Sequence, residues 1–118
     1  MTNNGKENRY DPRVPMRVQA VVFGAGGALA EIPMETGNLS VGGAFCRSIH
    51  PLPVGRSVRL RLDLPGPGGL PQPIVVEAIV VRVEGNGPYG IAFHFVGTPS
   101  RIANLLRAFL QRALPAVP

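Results

Sequence analysis

The sequence predicts an all-β fold, a barrel or sandwich of short strands, closed by one C-terminal helix. Three observations carry this. Val58, Leu60, Leu62 and Leu64 alternate with Arg59, Arg61 and Asp63, the pattern of a strand with one buried and one wet face. The 15 Gly and 13 Pro among 118 residues, roughly twice average usage, cut the chain into pieces of strand length. Near the end, Ile102, Leu105, Leu106, Phe109, Leu110 and Ala113 recur at helical spacing.

Taken in order, residues 1–8 are polar and are expected to be disordered. Residues 9–15 cannot form regular helix, because Pro12 and Pro15 remove donors and hold their predecessors extended. The first strand is expected over 16–23, with Val18, Ala20 and Val22 on one face. Gly24, Gly26 and Gly27 make a turn; they are superficially like a phosphate loop, but lysine and a following helix are missing. A second strand is placed at about 28–33 and a third at 43–49, ended by His50-Pro51. Residues 58–64 form the fourth, and 65–73, rich in Pro and Gly, a long loop. Strands at 74–84 and 89–96 flank a Gly85-Asn86-Gly87-Pro88 hairpin turn. In the helix, Thr98 serves as N-cap and Pro99 as first residue, Arg101, Arg107, Gln111 and Arg112 face away from the apolar stripe, and Pro115 stops it. Its expected place is over one opening or flank of the strands. The expected domain spans 9–113, with 114–118 as a tail.

Composition bounds the function. The length suits one domain, and 45% hydrophobic residues suffice for one core. No apolar run reaches the ~18 residues of a membrane helix, and the start lacks the apolar core of a signal peptide. A cytoplasmic protein without membrane insertion is expected. The single cysteine, Cys46, permits no intrachain disulfide and reads as a small buried hydrophobe. The net charge of +5 favours anionic partners. One basic cluster is N-terminal, with Lys6, Arg9, Arg13 and Arg17 against Glu7 and Asp11. A second follows Glu84, the last acid, with Arg101, Arg107 and Arg112.

Catalysis is not expected, nor any cofactor or metal. His50 and His94 stand apart, with no Cys or carboxylate at ligand spacing, and Glu31, Glu35, Asp63, Glu77 and Glu84 are scattered. No Gly-x-Ser-x-Gly elbow or P-loop occurs. A nucleic-acid barrel is disfavoured. Phe23, Phe45, Phe93, Phe95 and Phe109 lie in apolar contexts that read as core, which leaves only Tyr10 and Tyr89 to stack on bases.

Two short segments carry candidate chemistry. Arg9 and Arg13 lie four apart on a segment that two prolines keep extended. A guanidinium grips phosphate bidentately, reads the O6/N7 edge of guanine, and stacks on purines. Alone, the pair also describes a solvated basic tail. In Asn38-Leu39-Ser40-Val41-Gly42-Gly43, an extended backbone points Asn38 and Ser40 to the same side, each offering donor and acceptor. Gly43 lets a ligand or neighbouring strand approach the backbone. Alone, this segment also describes a Gly-rich turn whose Asn and Ser cap their own backbone.

Together the segments, Arg-x-x-x-Arg and then Asn-x-Ser-x-x-Gly after residues 14–37, resemble the signature of PilZ domains. The Tyr89-Gly90-Ile91-Ala92-Phe93 strand and the terminal helix are similar to that family too. The resemblance covers about residues 8–112. It implies a six-stranded antiparallel barrel and cyclic di-GMP as ligand. Arg9 and Arg13 would contact phosphate and guanine from a mobile N-terminal loop. Asn38 and Ser40 would bind guanine from the barrel surface, and Gly43 would permit close approach. Asn8, Tyr10 and Gly42 are further candidates. Many relatives have Arg or Gln where this chain has Asn8, a position that bears on whether one nucleotide or a stacked pair binds. Asp11 sets a carboxylate between the arginines. The reading is a stand-alone receptor that relays cyclic di-GMP to an unidentified downstream protein in trans. The alternative is a nucleotide-independent adaptor, acting through the helix or the Arg59–Arg61 strand.

Overall fold

The alternation that defines the strands also closes them on one interior. The computed structural model describes residues 13–24 and 31–113. It contains β1 (Val14–Pro15), β2 (Gln19–Phe23), β3 (Ile32–Leu39), β4 (Gly43–Ser48), β5 (Ser57–Pro65), β6 (Pro71–Glu84), β7 (Tyr89–Val96) and α1 (Ser100–Ala113). The strands run β3-β2-β5-β6-β7-β4, and β4 pairs back onto β3, closing a six-stranded antiparallel barrel. The two-residue β1 adds to β3 next to β2, with Val14 opposite Leu39 and Pro15 opposite Asn38. Closure leaves the barrel strands few free edges.

The predicted alternations fill the core. Val58, Leu60, Leu62 and Leu64 of β5 are buried, as are Val18, Ala20 and Val22. Ile74, Val76, Ala78 and Val80 of β6 meet Ile91, Phe93 and Phe95 of β7 inside, with Leu39 and Cys46. Each buried Val, Leu, Ile or Phe among them contributes ~1.5–3 kcal/mol. Ile102, Leu106, Phe109 and Leu110 of α1 are buried in the same cluster, with Leu105 and Ala113 packed against it. The C-terminal end of α1 lies beside Met16–Val18 and the Pro65-Gly66 turn. No helix among the described residues is long and apolar enough to cross a membrane.

Several boundaries differ from expectation, each for a physical reason. The strand expected over 16–23 begins at Gln19, and residues 16–18 form a break between β1 and β2. Thr36, 1% exposed, closes that break. Its hydroxyl donates to the Met16 carbonyl at 2.6 Å and accepts from the Val18 N–H at 2.8 Å. The second strand, expected at 28–33, runs instead from Ile32 to Leu39, because Pro33 and Gly37 interrupt the pattern without ending the pairing. Residues 65–73 are not one long loop. Only Gly66 to Leu70, with a short 3-10 turn at Pro67–Gly69, separates β5 from β6. Pro71 and Pro73 are accommodated because β6 there pairs with β5 alone, and β7 joins only from Glu77 onward. The helix begins at Ser100, one residue later than expected, with the Ala103 N–H donating to the Pro99 carbonyl. The tails at 1–8 and 114–118, the start of the second strand, Gly26, Gly27 and Pro115 lie outside the described residues.

Two bulges reverse the alternation. On β3 the inward residues are Met34 and Thr36, then Leu39. Thr36 faces Cys46 and Asn38 faces Phe45, so Gly37 is the extra residue. On β6 the inward residues run to Val80. Then Arg82 faces Ala92, Val81 is extra, and Val83 turns to the core. A bulge of one residue moves every later side chain to the opposite face. Without them Asn38 and Arg82 would point inward; with them both stand on the outer wall.

Candidate functional site

The bulged residues lie in one cross-strand row. Pro15 faces Asn38, Asn38 faces Phe45, Phe45 faces Ala92, and Ala92 faces Arg82, linking β1, β3, β4, β7 and β6 in turn. A pocket of about 270 Å³ opens over this row. Its lining includes Arg13, Asn38, Ser40, Gly42 and Gly43, together with Phe45, Ala92, His94 and Arg82. No carboxylate lines it among the described residues, so its charge is basic.

The structure brings Arg13, Asn38, Ser40, Gly42 and Gly43 to one pocket, although residues 14–37 separate Arg13 from the others. β1 does the positioning. Val14 is buried and Pro15 is paired to Asn38, so the exposed Arg13 leaves the sheet at the pocket rim. Asn8, Arg9 and Tyr10 lie outside the described residues, as does Asp11.

Each motif residue has a distinct local role. Asn38 is half-buried, and its amide makes no hydrogen bond among the described residues. Ser40, 9% exposed, is committed to the β3–β4 turn. Its hydroxyl donates to the Gly43 carbonyl and accepts from the Gly42 N–H, both at 3.3 Å, and its N–H donates to the Gly43 carbonyl at 2.9 Å. A hydroxyl has one donor and two lone pairs, so Ser40 retains one acceptor toward the pocket. Gly43 answers a neighbouring strand: a Cβ there would overlap the backbone carbonyl of Phe93. Gly42 has open space where its Cβ would be.

Sequence reasoning missed three side chains. Phe45 was expected in the core, yet its ring is half-buried on the outer wall, over Gly90, whose missing side chain makes the room. Phe23 is likewise half-buried and lies under Arg61, 6.0 Å from guanidinium carbon to ring centroid. Arg82 stands 5.9 Å over the Phe45 ring, and its Nε donates to Glu84 Oε2 at 2.6 Å. The signal for Arg82 was in the pattern: a charged residue at an inward position of β6, followed by an outward-phased Val83, marks a bulge. His94 is exposed on the pocket wall, as its alternation with Phe93 and Phe95 predicts. Among the described residues, no cluster of His, Cys, Asp and Glu has the form of a metal site.

Comparison with known proteins bears on the family and the fold. The family model described as PilZ domain matches residues 7–112. Among curated proteins, no sequence matches the chain. Among solved structures, the Bacillus subtilis inhibitor of motility MotI/DgrA superposes with a TM-score of 0.72 at 20% identity, over 85% of this chain and 48% of that one. The present chain thus spans about half the length of that protein. The PilZ domain of YcgR from Escherichia coli, determined with c-di-GMP, superposes with a TM-score of 0.69 at 12% identity, over 86% of this chain and 88% of that one. The PilZ domain of CeSA from a cellulose-synthesizing bacterium gives a TM-score of 0.61 at 20% identity, over 86% and 94%. At these identities the likenesses show the shared fold.

Proposed function

The chain belongs to the PilZ domain family, and from that premise we propose that it is a receptor for cyclic di-GMP, which it binds on the barrel wall through Arg9, Arg13, Asn38, Ser40 and Gly43. One observation carries the reading. Arg13 and the Asn38–Gly43 turn, distant in sequence, line a single basic pocket on the outer wall. The E. coli YcgR domain, of the same fold, was determined with this nucleotide.

On this reading each residue has a role. The amide of Asn38 offers donor and acceptor to a guanine edge. The remaining lone pair of Ser40 accepts from a guanine N–H. Arg13 supplies a fork of donors for a phosphodiester, in a pocket that no carboxylate lines among the described residues. Ligand sites commonly measure ~300–1,000 Å³, so a pocket of about 270 Å³ takes one part of the dinucleotide, and Arg9 closes on the rest. A ligand held by Arg13 and by Asn38 ties the segment before β1 to the wall. The surface it then presents differs from the free one, and a downstream protein reads that difference.

Titration calorimetry of cyclic di-GMP into the protein tests the proposal, with Arg13→Ala and Asn38→Ala beside it. Micromolar or tighter binding that weakens at least tenfold in both variants is expected. Absence of binding by the unaltered protein would refute it.

A further inference from the structure

Arg82 belongs to neither motif, yet two independent features turn it onto the pocket. The Val81 bulge moves it from the inward to the outward face, and the ring of Phe45 lies beneath its guanidinium. Glu84 holds its Nε, and among the described residues it makes no other hydrogen bond. The guanidinium thus lies beside the Phe45 ring at one end of the row, and among the described residues its terminal amino groups make no hydrogen bond. Asn38 and Ser40 occupy the other end. Adjacent strands lie ~4.8 Å apart, and three intervals separate β3 from β6, so the ends are about 14 Å apart along the wall. Phe45 and Ala92 stand between these ends, and the small side chain of Ala92 keeps the pocket floor low beside the Phe45 ring.

We infer that the Arg82–Phe45 pair receives a purine base of the bound dinucleotide by stacking, as a second subsite facing the Asn38–Ser40 end. The inference rests on the receptor reading above. A base fits better than a phosphate, because the Glu84 carboxylate beside Arg82 Nε disfavours a second anion there, while the nearby Phe45 ring adds an aromatic surface. Guanidinium groups stack on purines, and such contacts change affinity by about tenfold or more per base.

The test is calorimetric titration of cyclic di-GMP into the unaltered protein and into Arg13→Ala, Arg82→Lys and Arg82→Ala, with circular dichroism of each to establish folding. Arg82 is exposed, so its variants are expected to fold. The expected result is a loss of about tenfold in both Arg82 variants, because lysine keeps the charge but not the plane. If Arg82→Lys binds as the unaltered protein does while Arg82→Ala weakens, the group is a counter-ion and the stacking subsite is wrong. If both bind normally while Arg13→Ala fails, Arg82 takes no part, and the receptor reading stands without it. If the unaltered protein does not bind, the receptor reading itself fails and the subsite with it.

Discussion

Pro15 of β1 stands opposite Asn38 of β3, so the segments that carry the two motifs meet as paired strands. The pairing explains how an arginine near the start of the chain reaches a turn far along it. Val14 is buried opposite Leu39, which anchors β1 and leaves Arg13 at the pocket rim. Thr36 secures the same segment from within.

Thr36→Val is expected to destabilise the protein by about 1–3 kcal/mol, since it leaves the buried Val18 N–H without its acceptor and the Met16 carbonyl without its donor. Thr36→Ser, which keeps the hydroxyl, should lose less. Urea denaturation gives the magnitudes, and faster amide exchange at Val18 in the valine variant would show that the break between β1 and β2 has loosened.

Gly43→Ala and Gly42→Ala separate the two glycines of the turn. A Cβ at Gly43 overlaps the Phe93 backbone carbonyl, which cannot move without parting β4 from β7. A loss of about 2 kcal/mol or more is expected there. At Gly42 the space is open, so stability should stay within about 0.5 kcal/mol, while a methyl group intrudes on the pocket. Thermal melts beside ligand titrations distinguish the outcomes.

Much of the fold was legible because strands buried on one face alternate strictly, as β5 and β7 do. The helix was legible from its apolar stripe, and the 85–88 turn from its Gly and Pro. What escaped were the places where backbone geometry overrides pattern. Val14–Pro15 is too short and too close to proline to read as a strand, yet it places Arg13. Pro33 and Gly37 look like breakers, yet β3 runs through both. Phe45 reads as core by hydrophobicity, and only the missing side chain of Gly90 makes room for its ring outside. Arg82 could be placed only by noticing that its parity conflicts with that of Val83. Of the candidate site, the residue types were legible in sequence. Their assembly into one row depends on two bulges that no simple period contains.

Ser40→Ala and Asn38→Ala should part company in stability. Ser40 holds the turn through its hydroxyl, so its loss is expected to cost about 0.5–1.5 kcal/mol as well as affinity. Asn38 makes no side-chain hydrogen bond among the described residues, so Asn38→Ala should weaken binding while leaving the urea midpoint nearly unchanged.

Burial pushes the Cys46 thiol up from 9.0 to about 12. The folded state thus disfavours the thiolate that the unfolded chain forms freely. The stability tied to this group is complete below about pH 9 and is lost as pH rises toward 12. The urea midpoint of the unaltered protein should therefore fall more steeply between pH 9 and 11 than that of Cys46→Ala, whose baseline is lower. A thiol reagent at pH 8 should react only after unfolding.

The measurement that tests the central claim most directly is amide chemical-shift mapping of the protein titrated with cyclic di-GMP. The account predicts that the largest shifts fall along the row from Asn38 through Phe45 and Ala92 to Arg82, with Arg13 and the Ser40–Gly43 turn. Shifts confined to another face, such as α1 or the Arg59–Arg61 strand, or no shifts at saturating nucleotide, would contradict it.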